Sequence, residues 1–453
     1  MMINKSAVFF LPIVLSLCIL HICYPGFMSY DSIQMLEEAR SSVRGGIFPT
    51  APVYVLRFFD ITGHGPTLMI QVQNFILLFS VTLVLRILKV GLITSTISLF
   101  ALVAMPTVIG CMLVLWKDVT LTALIMLSLT IIFWASQAIK NDIFYKIAKW
   151  LALLSLMVGT LVKFNAITST VIISIYWLSV FYKNKNFQYR FAAFFIIVIS
   201  MIASNKIING YSFPNFQKLE TNNILYGVMA NDLIGISGWS RVSLIPFDLI
   251  NSAHTPKVPI SDIDKIYSSL GSAVMYENNV KLGNIVTIFP EKYRTEDIIN
   301  AWLTGVFTHP MAYISYRFDL FSEIIGAKTY GTYEPTHFNR IDENKFGIKF
   351  QERHITDFTL KYIEWASNVF FGKPWFIFLI SFIAVLFIIK NPSIPTQVKM
   401  FSFYSFAAAF LYIIPFLLVT LSGEVRYSFT AIVLSSNSIF AWIFGKNPSL
   451  SLK

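Results

Sequence analysis

Long apolar runs joined by short polar turns set the plan of this chain. Ten runs stand out, near residues 7–25, 68–88, 92–114, 119–139, 147–162, 166–182, 191–208, 374–390, 400–421 and 427–445. Crossing a bilayer as a helix takes about 20 apolar residues; the fifth and sixth runs are short by that measure. Two stretches break the rhythm, at 26–67 and 209–373. The second holds 17 acids and 15 bases, and its Pro, Asn and Gly content suits a folded, loop-rich body. Within it, Ile299–Leu320 is apolar enough to touch lipid, but His309-Pro310 interrupts it, so it reads as an interfacial helix pair. The pattern predicts an all-α polytopic membrane protein of about ten transmembrane helices with a mixed extracytoplasmic domain. Its parts are an N-terminal membrane domain (1–208), an extracytoplasmic domain (209–373) and a C-terminal membrane domain (374–453).

Composition agrees. Only 13% of the 453 residues are charged, against about 25% in soluble domains. The formal charge of +11 raises the question of nucleic acid or acidic lipid, and its distribution answers it. With the N-terminus inside, the inner loops hold Lys5, Arg86, Lys89, Lys140, Lys146, Lys149, Lys183, Lys185, Arg190, Lys390, Lys399, Lys446 and Lys453 against Asp142 alone. The remaining 22 cations face 23 acids, so the excess is the positive-inside signal. It places both termini in the cytoplasm and needs no nucleic-acid partner. Only Lys5 precedes the first run and Pro25-Gly26 is a poor cleavage site, so that run reads as a retained anchor. Cys18, Cys23 and Cys111 lie in or beside apolar runs and form neither metal spacing nor a disulfide framework.

The topology brings scarce charges to one boundary. Asp31 follows the first run; Ser32 to Arg44 can form a short surface helix, capped by Ser29 or Ser32, with Ile33, Leu36 and Val43 on its apolar face. The helix N-terminus would favour a carboxylate beside it. Lys117 and Asp118 occupy a tight turn, Lys163 ends the fifth run and Arg426 opens the last, and all five fall at the outer boundary. A charge at the membrane centre costs about 2.5–3.5 kcal/mol or more; boundary charges cost less but still pair or line a wet cavity. Carboxylates among cations suit transfer from a phosphate-linked donor: the carboxylate takes a proton from an acceptor hydroxyl, and cations neutralise the departing phosphate. Each residue also has a plainer reading: Asp31 as a loop residue or cap, Lys117 and Asp118 as a boundary pair, Lys163 as a snorkelling chain, Arg426 with Glu424 as a surface ion pair. His64 and His309 stand alone, without a second ligand at metal spacing, so no metal site or cofactor is assigned. A divalent ion is neither required nor excluded by these residues.

Phosphate-binding glycine loops and a serine nucleophile elbow are absent. The inner loops are too short to hold a nucleotide-sugar domain, and a transferase acting outside needs a donor that reaches it, as a lipid-linked sugar does.

Several segments resemble the GT-C superfamily of multi-span glycosyltransferases, above all its bacterial members. They are Pro25-Gly26 with Ser29-Tyr30-Asp31-Ser32, then Trp116-Lys117-Asp118, Lys163-Phe164-Asn165-Ala166, Asn231-Asp232-Leu233, Trp302 through His309-Pro310 to Tyr313, and Arg426-Tyr427. The resemblance runs from about residue 24 to 430. Two departures stand out. Asp31 is followed by Ser32 where many members carry paired acids, and Lys163 and Ala166 replace the more usual Arg and Gly. The resemblance implies an inverting transfer from a polyprenyl-phosphate sugar (undecaprenyl phosphate in bacteria) to an acceptor on the outer face of the inner membrane. Asp31 would be the general base, and Lys117, Lys163 and Arg426 would hold the phosphate. Asp118 would orient Lys117 or bind sugar hydroxyls, and the large outer block would hold the acceptor, with Asp232 and Glu424 as contacts. The acceptor it points to is a surface polysaccharide such as O-antigen, part of lipopolysaccharide, and the type-specific O-antigen glucosyltransferases share this size and layout. Competing readings are a polysaccharide polymerase or ligase, a lipid-linked-sugar flippase or transporter, and a membrane scaffold. A transporter would show midplane charges or an internal repeat, and neither is present; a scaffold gives no reason for the converging charges.

Overall fold

The computed structural model describes residues 7–41, 43–44, 48–138, 143–210, 217–218, 224–251, 257–288, 295–328 and 334–446. Lys5, Lys140, Asp142 and Lys453, which entered the charge argument, lie outside them. The described chain is almost wholly helical. Its first half comprises α1 (Ala7–Cys23), α2 (Tyr30–Arg40), α3 (Thr50–Phe59), α4 (Gly65–Ile87), α5 (Leu92–Val103), α6 (Pro106–Met112), α7 (Lys117–Gln137), α8 (Ile143–Val162), α9 (Ile167–Phe181) and α10 (Phe187–Gly210). Then follow α11 (Ile224–Ser240), α12 (Ile260–Ile266), α13 (Ser272–Lys281), α14 (Thr295–Thr308), α15 (Pro310–Ile324), α16 (His354–Ser367), α17 (Pro374–Lys390), α18 (Thr396–Ile413) and α19 (Phe429–Phe444). The strands are two-residue pieces, Val43–Arg44 parallel to Gln217–Lys218, with Val43 opposite Gln217.

Every apolar run of the sequence becomes helix, because lipid offers the backbone no partner and a helix satisfies its own amides. Length and composition give six spans, or seven with one bent pair, against the ten read from hydropathy. Three further apolar helices, α1, α9 and α17, are shorter. The third run is not straight: α5 and α6 meet at 81°. Pro106 opens α6, where its missing N–H costs nothing, but it cannot continue α5.

The bundle is centred on α7, which packs against α4, α8, α9, α18 and α19. Its hydroxyls either turn back to their own helix or bridge to a neighbour, as they must without water. The Thr122 hydroxyl donates to the Asp118 carbonyl at 2.7 Å and lies 2.8 Å from that of Thr430 on α19. Ser128 donates to the Ala152 carbonyl and Ser155 to the Leu124 carbonyl, at 2.9 and 2.8 Å. These small residues, with Gly159 against Leu124 and Ile125, let α7 and α8 approach closely.

The block read as one outer domain is helical among the described residues and contributes to two cores. Residues 229–320 build their own, from Leu233, Ile234, Leu249, Ile263, Met275, Ile298, Tyr316 and Leu320. Beyond Ile324 the chain returns to the bundle core through Phe338, Ile341, Phe350, Leu360 and Ile363. The stretch 299–320 is a helix pair broken at His309, with Pro310 starting α15. The pair keeps Phe307, Met311 and Phe318 exposed.

The returning segment enters the bundle at Gly110. A Cβ there would lie 2.4 Å from the Pro335 carbonyl oxygen, and Thr336 donates to the Gly110 carbonyl at 2.9 Å. The obstacle is backbone, which cannot turn aside. Gly110→Ala should therefore destabilise the protein by about 1–3 kcal/mol, seen as a lower midpoint of thermal unfolding in detergent. An unchanged midpoint would show that the contact is loose.

Candidate functional site

The helix carrying Asp31 is held by backbone before any side chain acts. Phe27 donates its N–H to the Leu113 carbonyl at 3.1 Å, and Leu115 returns one to the Phe27 carbonyl at 2.9 Å. On the other side Met28 donates to the Arg340 carbonyl and Asp342 donates to that of Met28, at 2.8 and 3.0 Å. Residues 27–28 thus lie as an extended rung between the turn before α7 and the 340 segment. Gly26 permits the approach through its φ of +126°, a backbone conformation that side chains rarely allow. Two side-chain bonds finish the anchoring. The Ser32 hydroxyl donates to the Leu115 carbonyl at 2.9 Å, and the Trp116 indole N–H donates to the Ser29 hydroxyl at 2.9 Å. The sequence reading started the helix at Ser32; it starts at Tyr30 and ends at Arg40, so Asp31 stands in its first turn and Val43 falls in the strand pair.

Asp31 meets Arg426 across the chain, Oδ2 to a guanidinium NH2 at 2.7 Å. The same guanidinium contacts Glu424 through Nε. Burial pushes the Asp31 carboxyl up, but Arg426, with Lys117 and Lys163 behind it, outweighs that and holds it below the ordinary carboxylate range. Its side chain keeps 38% of its surface open, whereas that of Arg426 keeps 12%.

Asp118, expected beside its neighbour Lys117, is engaged instead by Lys163, Nζ to Oδ1 at 2.5 Å. Burial pushes the Lys163 ammonium down; the Asp118 carboxylate, with the Tyr412 and Tyr427 hydroxyls behind it, more than offsets this and raises it above the ordinary lysine value. Lys163 also donates to the Tyr412 hydroxyl at 3.2 Å and lies 4.4 Å from the centre of the Tyr427 ring. Lys117 differs from the other two cations. Its ammonium sits 4.6 Å from the Phe48 ring centre, and no carboxylate among the described residues lies within ion-pair distance of it.

Asp31, Lys117, Asp118 and Arg426 line one cleft of about 230 Å³, counting solvent at its mouth, with Ser32, Met35, Phe48, Leu115 and Trp116 as the remaining walls. Lys163 stands behind Asp118 and Glu424 behind Arg426. Six of the seven residues singled out from the sequence therefore gather at one end of the bundle, from four separate segments. Asp232 does not join them. Its carboxylate is fully buried in the 224–328 body, 2.6 Å from Arg317 and 2.7 Å from the Trp302 indole N–H. Arg317 in turn donates to the Thr420 carbonyl at 3.1 Å.

The aromatic residues went unassigned in the sequence reading. Trp116 lies under Arg426, 5.1 Å from ring centre to guanidinium carbon, and Tyr427 lies between Arg426 and Lys163, at 5.5 and 4.4 Å. A cation–π contact of this kind is worth about 0.5–2 kcal/mol, and it draws each cation to its ring without fixing a direction in the plane of the ring. Their signal was adjacency: Trp116 precedes Lys117, and Tyr427 follows Arg426. No group of three or more His, Cys, Asp or Glu side chains among the described residues could hold a metal ion.

No family model matches the chain, and no curated protein does. Among solved structures, a likeness covering 96% of this chain and 78% of the other is to the crystal structure of ArnT from Cupriavidus metallidurans bound to undecaprenyl phosphate. The identity is 11% and the TM-score 0.34, too distant to carry an argument about fold or function.

The two acid–arginine pairs should respond differently to mutation. Asp232→Ala leaves Arg317 buried and unpaired, which should cost about 3–5 kcal/mol of stability. Asp31→Asn, where the carboxylate is partly open and Arg426 keeps Glu424, should cost about 1 kcal/mol or less. Thermal unfolding of both variants in detergent checks this, and equal losses would contradict it.

Proposed function

We propose that this chain is a membrane glycosyltransferase that moves a sugar from a polyprenyl-phosphate donor to a cell-surface glycan such as O-antigen, at the outer face of the cytoplasmic membrane. The observation that carries the reading is Lys117. It is a cation in the cleft with no carboxylate partner among the described residues, between Asp31 and the Lys163–Asp118 pair. A cation left so at the end of a membrane-spanning helix favours an anion as its ligand. The cleft lies at the helix ends, where a lipid phosphate would sit with its chain in the bilayer. The sequence resemblance to the GT-C superfamily points the same way.

In the proposed reaction the acceptor hydroxyl oxygen attacks the anomeric carbon from the face opposite the phosphate. Its proton passes to the Asp31 carboxylate as the new C–O bond forms. The bond from the anomeric carbon to the phosphate oxygen breaks, and the electron pair leaves with the polyprenyl phosphate, so the configuration inverts. Lys117 and Arg426 neutralise the charge growing on that phosphate. Lys163 and Asp118 hold the floor of the site, and the 224–328 body with Glu424 faces the acceptor.

Mass spectrometry of surface glycans tests this in cells carrying the wild-type chain, Asp31→Asn at equal expression, or neither. One added hexose per repeat unit should appear with wild type alone, because losing the base costs roughly 10²–10⁴ in rate. A change in chain length instead would favour a polymerase. Identical glycans from both expressed forms would remove Asp31 as the base. The pH dependence gives a second check. The Asp31 carboxyl is held below its ordinary value of about 3.9, so the base stays ionised well into acid. In vitro kcat/KM should therefore stay level as pH falls from 7 to about 5; a fall centred near pH 6 would contradict this.

A further inference from the structure

The geometry around Arg426 assigns it a second task, which rests on the donor reading above. We infer that Arg426 is shared between Asp31 and the donor phosphate, so that binding of the lipid phosphate draws the guanidinium off Asp31 and frees that carboxylate to act as base.

Three observations carry this. First, one guanidinium serves two carboxylates, with NH2 at 2.7 Å from Asp31 and Nε against Glu424. Second, the two carboxylates are held differently. Glu424 lies two residues from Arg426 on the same turn and accepts from the Ser422 hydroxyl at 3.0 Å, so it travels with the arginine. Asp31 stands on another element, anchored through Ser29, Ser32 and the backbone rung, and cannot follow. A guanidinium that moves must part from Asp31 and keep Glu424. Third, the Trp116 and Tyr427 rings, 5.1 and 5.5 Å from the guanidinium carbon, give the planar group a surface on which to turn without losing its contacts. A phosphate oxygen pair accepts from the guanidinium fork as well as a carboxylate does. Lys117, which has no carboxylate partner among the described residues to give up, adds to the attraction.

The consequence is an order of events. While Arg426 holds Asp31, the guanidinium at Oδ2 offsets the carboxylate's charge and weakens it as a base. Donor first, acceptor second is the order in which the base becomes available, and the donor is thereby shielded from attack before its phosphate is seated.

Competition makes a sharp prediction for binding. Seating the phosphate must break the Asp31 contact, so removing that contact should tighten binding even as it abolishes transfer. The experiment measures equilibrium binding of radiolabelled polyprenyl phosphate, without sugar, to the full chain in detergent. Asp31→Asn should bind about tenfold tighter than wild type, whereas Glu424→Gln, whose contact the moved guanidinium keeps, should show no such gain. Thermal unfolding of each variant verifies that it is folded. In an Arg426→Ala background, which starts weaker, Asp31→Asn should give no gain, because the partner it released is gone. Weaker or unchanged binding by Asp31→Asn overturns the inference. So does a gain of the same size in the Arg426→Ala background, which would mean simple removal of a negative charge. If wild type binds no polyprenyl phosphate at all, the donor reading itself falls.

Discussion

The contact between Lys163 and Asp118 is the one on which this end of the molecule depends. Each residue sits where a span meets the boundary, almost shut off from solvent, and there an unpaired charge is too costly to keep. Pairing them ties the start of α7 to the end of α8. The Arg426–Asp31 pair does the same for the turn before α19 and for α2. Neutralising the charges and closing the helix ends are therefore one event. Lys117 has an aromatic ring beside it and no carboxylate within ion-pair distance among the described residues, because Arg426 takes two carboxylates, and the chemistry proposed for the cleft begins from that arrangement.

Fixed and movable parts divide cleanly around the cleft. Asp31 is set by backbone hydrogen bonds on both sides of residues 27–28, by a glycine in a backbone conformation that side chains rarely allow, and by two serines. Nothing of that kind holds the guanidinium of Arg426, which rests between two rings and two carboxylates. A general base needs a stationary carboxylate, and a phosphate clamp benefits from an arm that can swing.

The 224–328 body joins the bundle close to that arm. Gly271 pairs with Ser422, where a Cβ would meet the Ser422 backbone at 2.2 Å, and Gly423 donates to the Leu270 carbonyl at 3.1 Å. Arg317, committed to Asp232, also holds the Thr420 carbonyl. The loop that leads into Glu424 and Arg426 is therefore moulded by the body beside it. Asp232 is linked to this loop through Arg317.

Hydropathy by itself determined the helices, because lipid leaves an apolar run no other way to satisfy its amides. The same pattern showed that Asp31, Lys117, Asp118, Lys163, Glu424 and Arg426 share one end of the bundle, since each lies where a run begins or ends. It could not show the break at Pro106 as a bend of 81°, because a proline ending one helix and starting another reads like a kink in a single span. Nor could it show which acid meets which cation. Asp118 is next to Lys117 in the chain but faces Lys163, because successive residues at a helix start point in different directions. Asp232 looked like a site residue because it is an acid in an outer segment; only tertiary packing put Arg317, 85 residues away, against it. Distance along the membrane normal is written in the sequence as the lengths of its apolar runs. Direction within the plane comes from helix rotation and packing, and these decided every partner in the site.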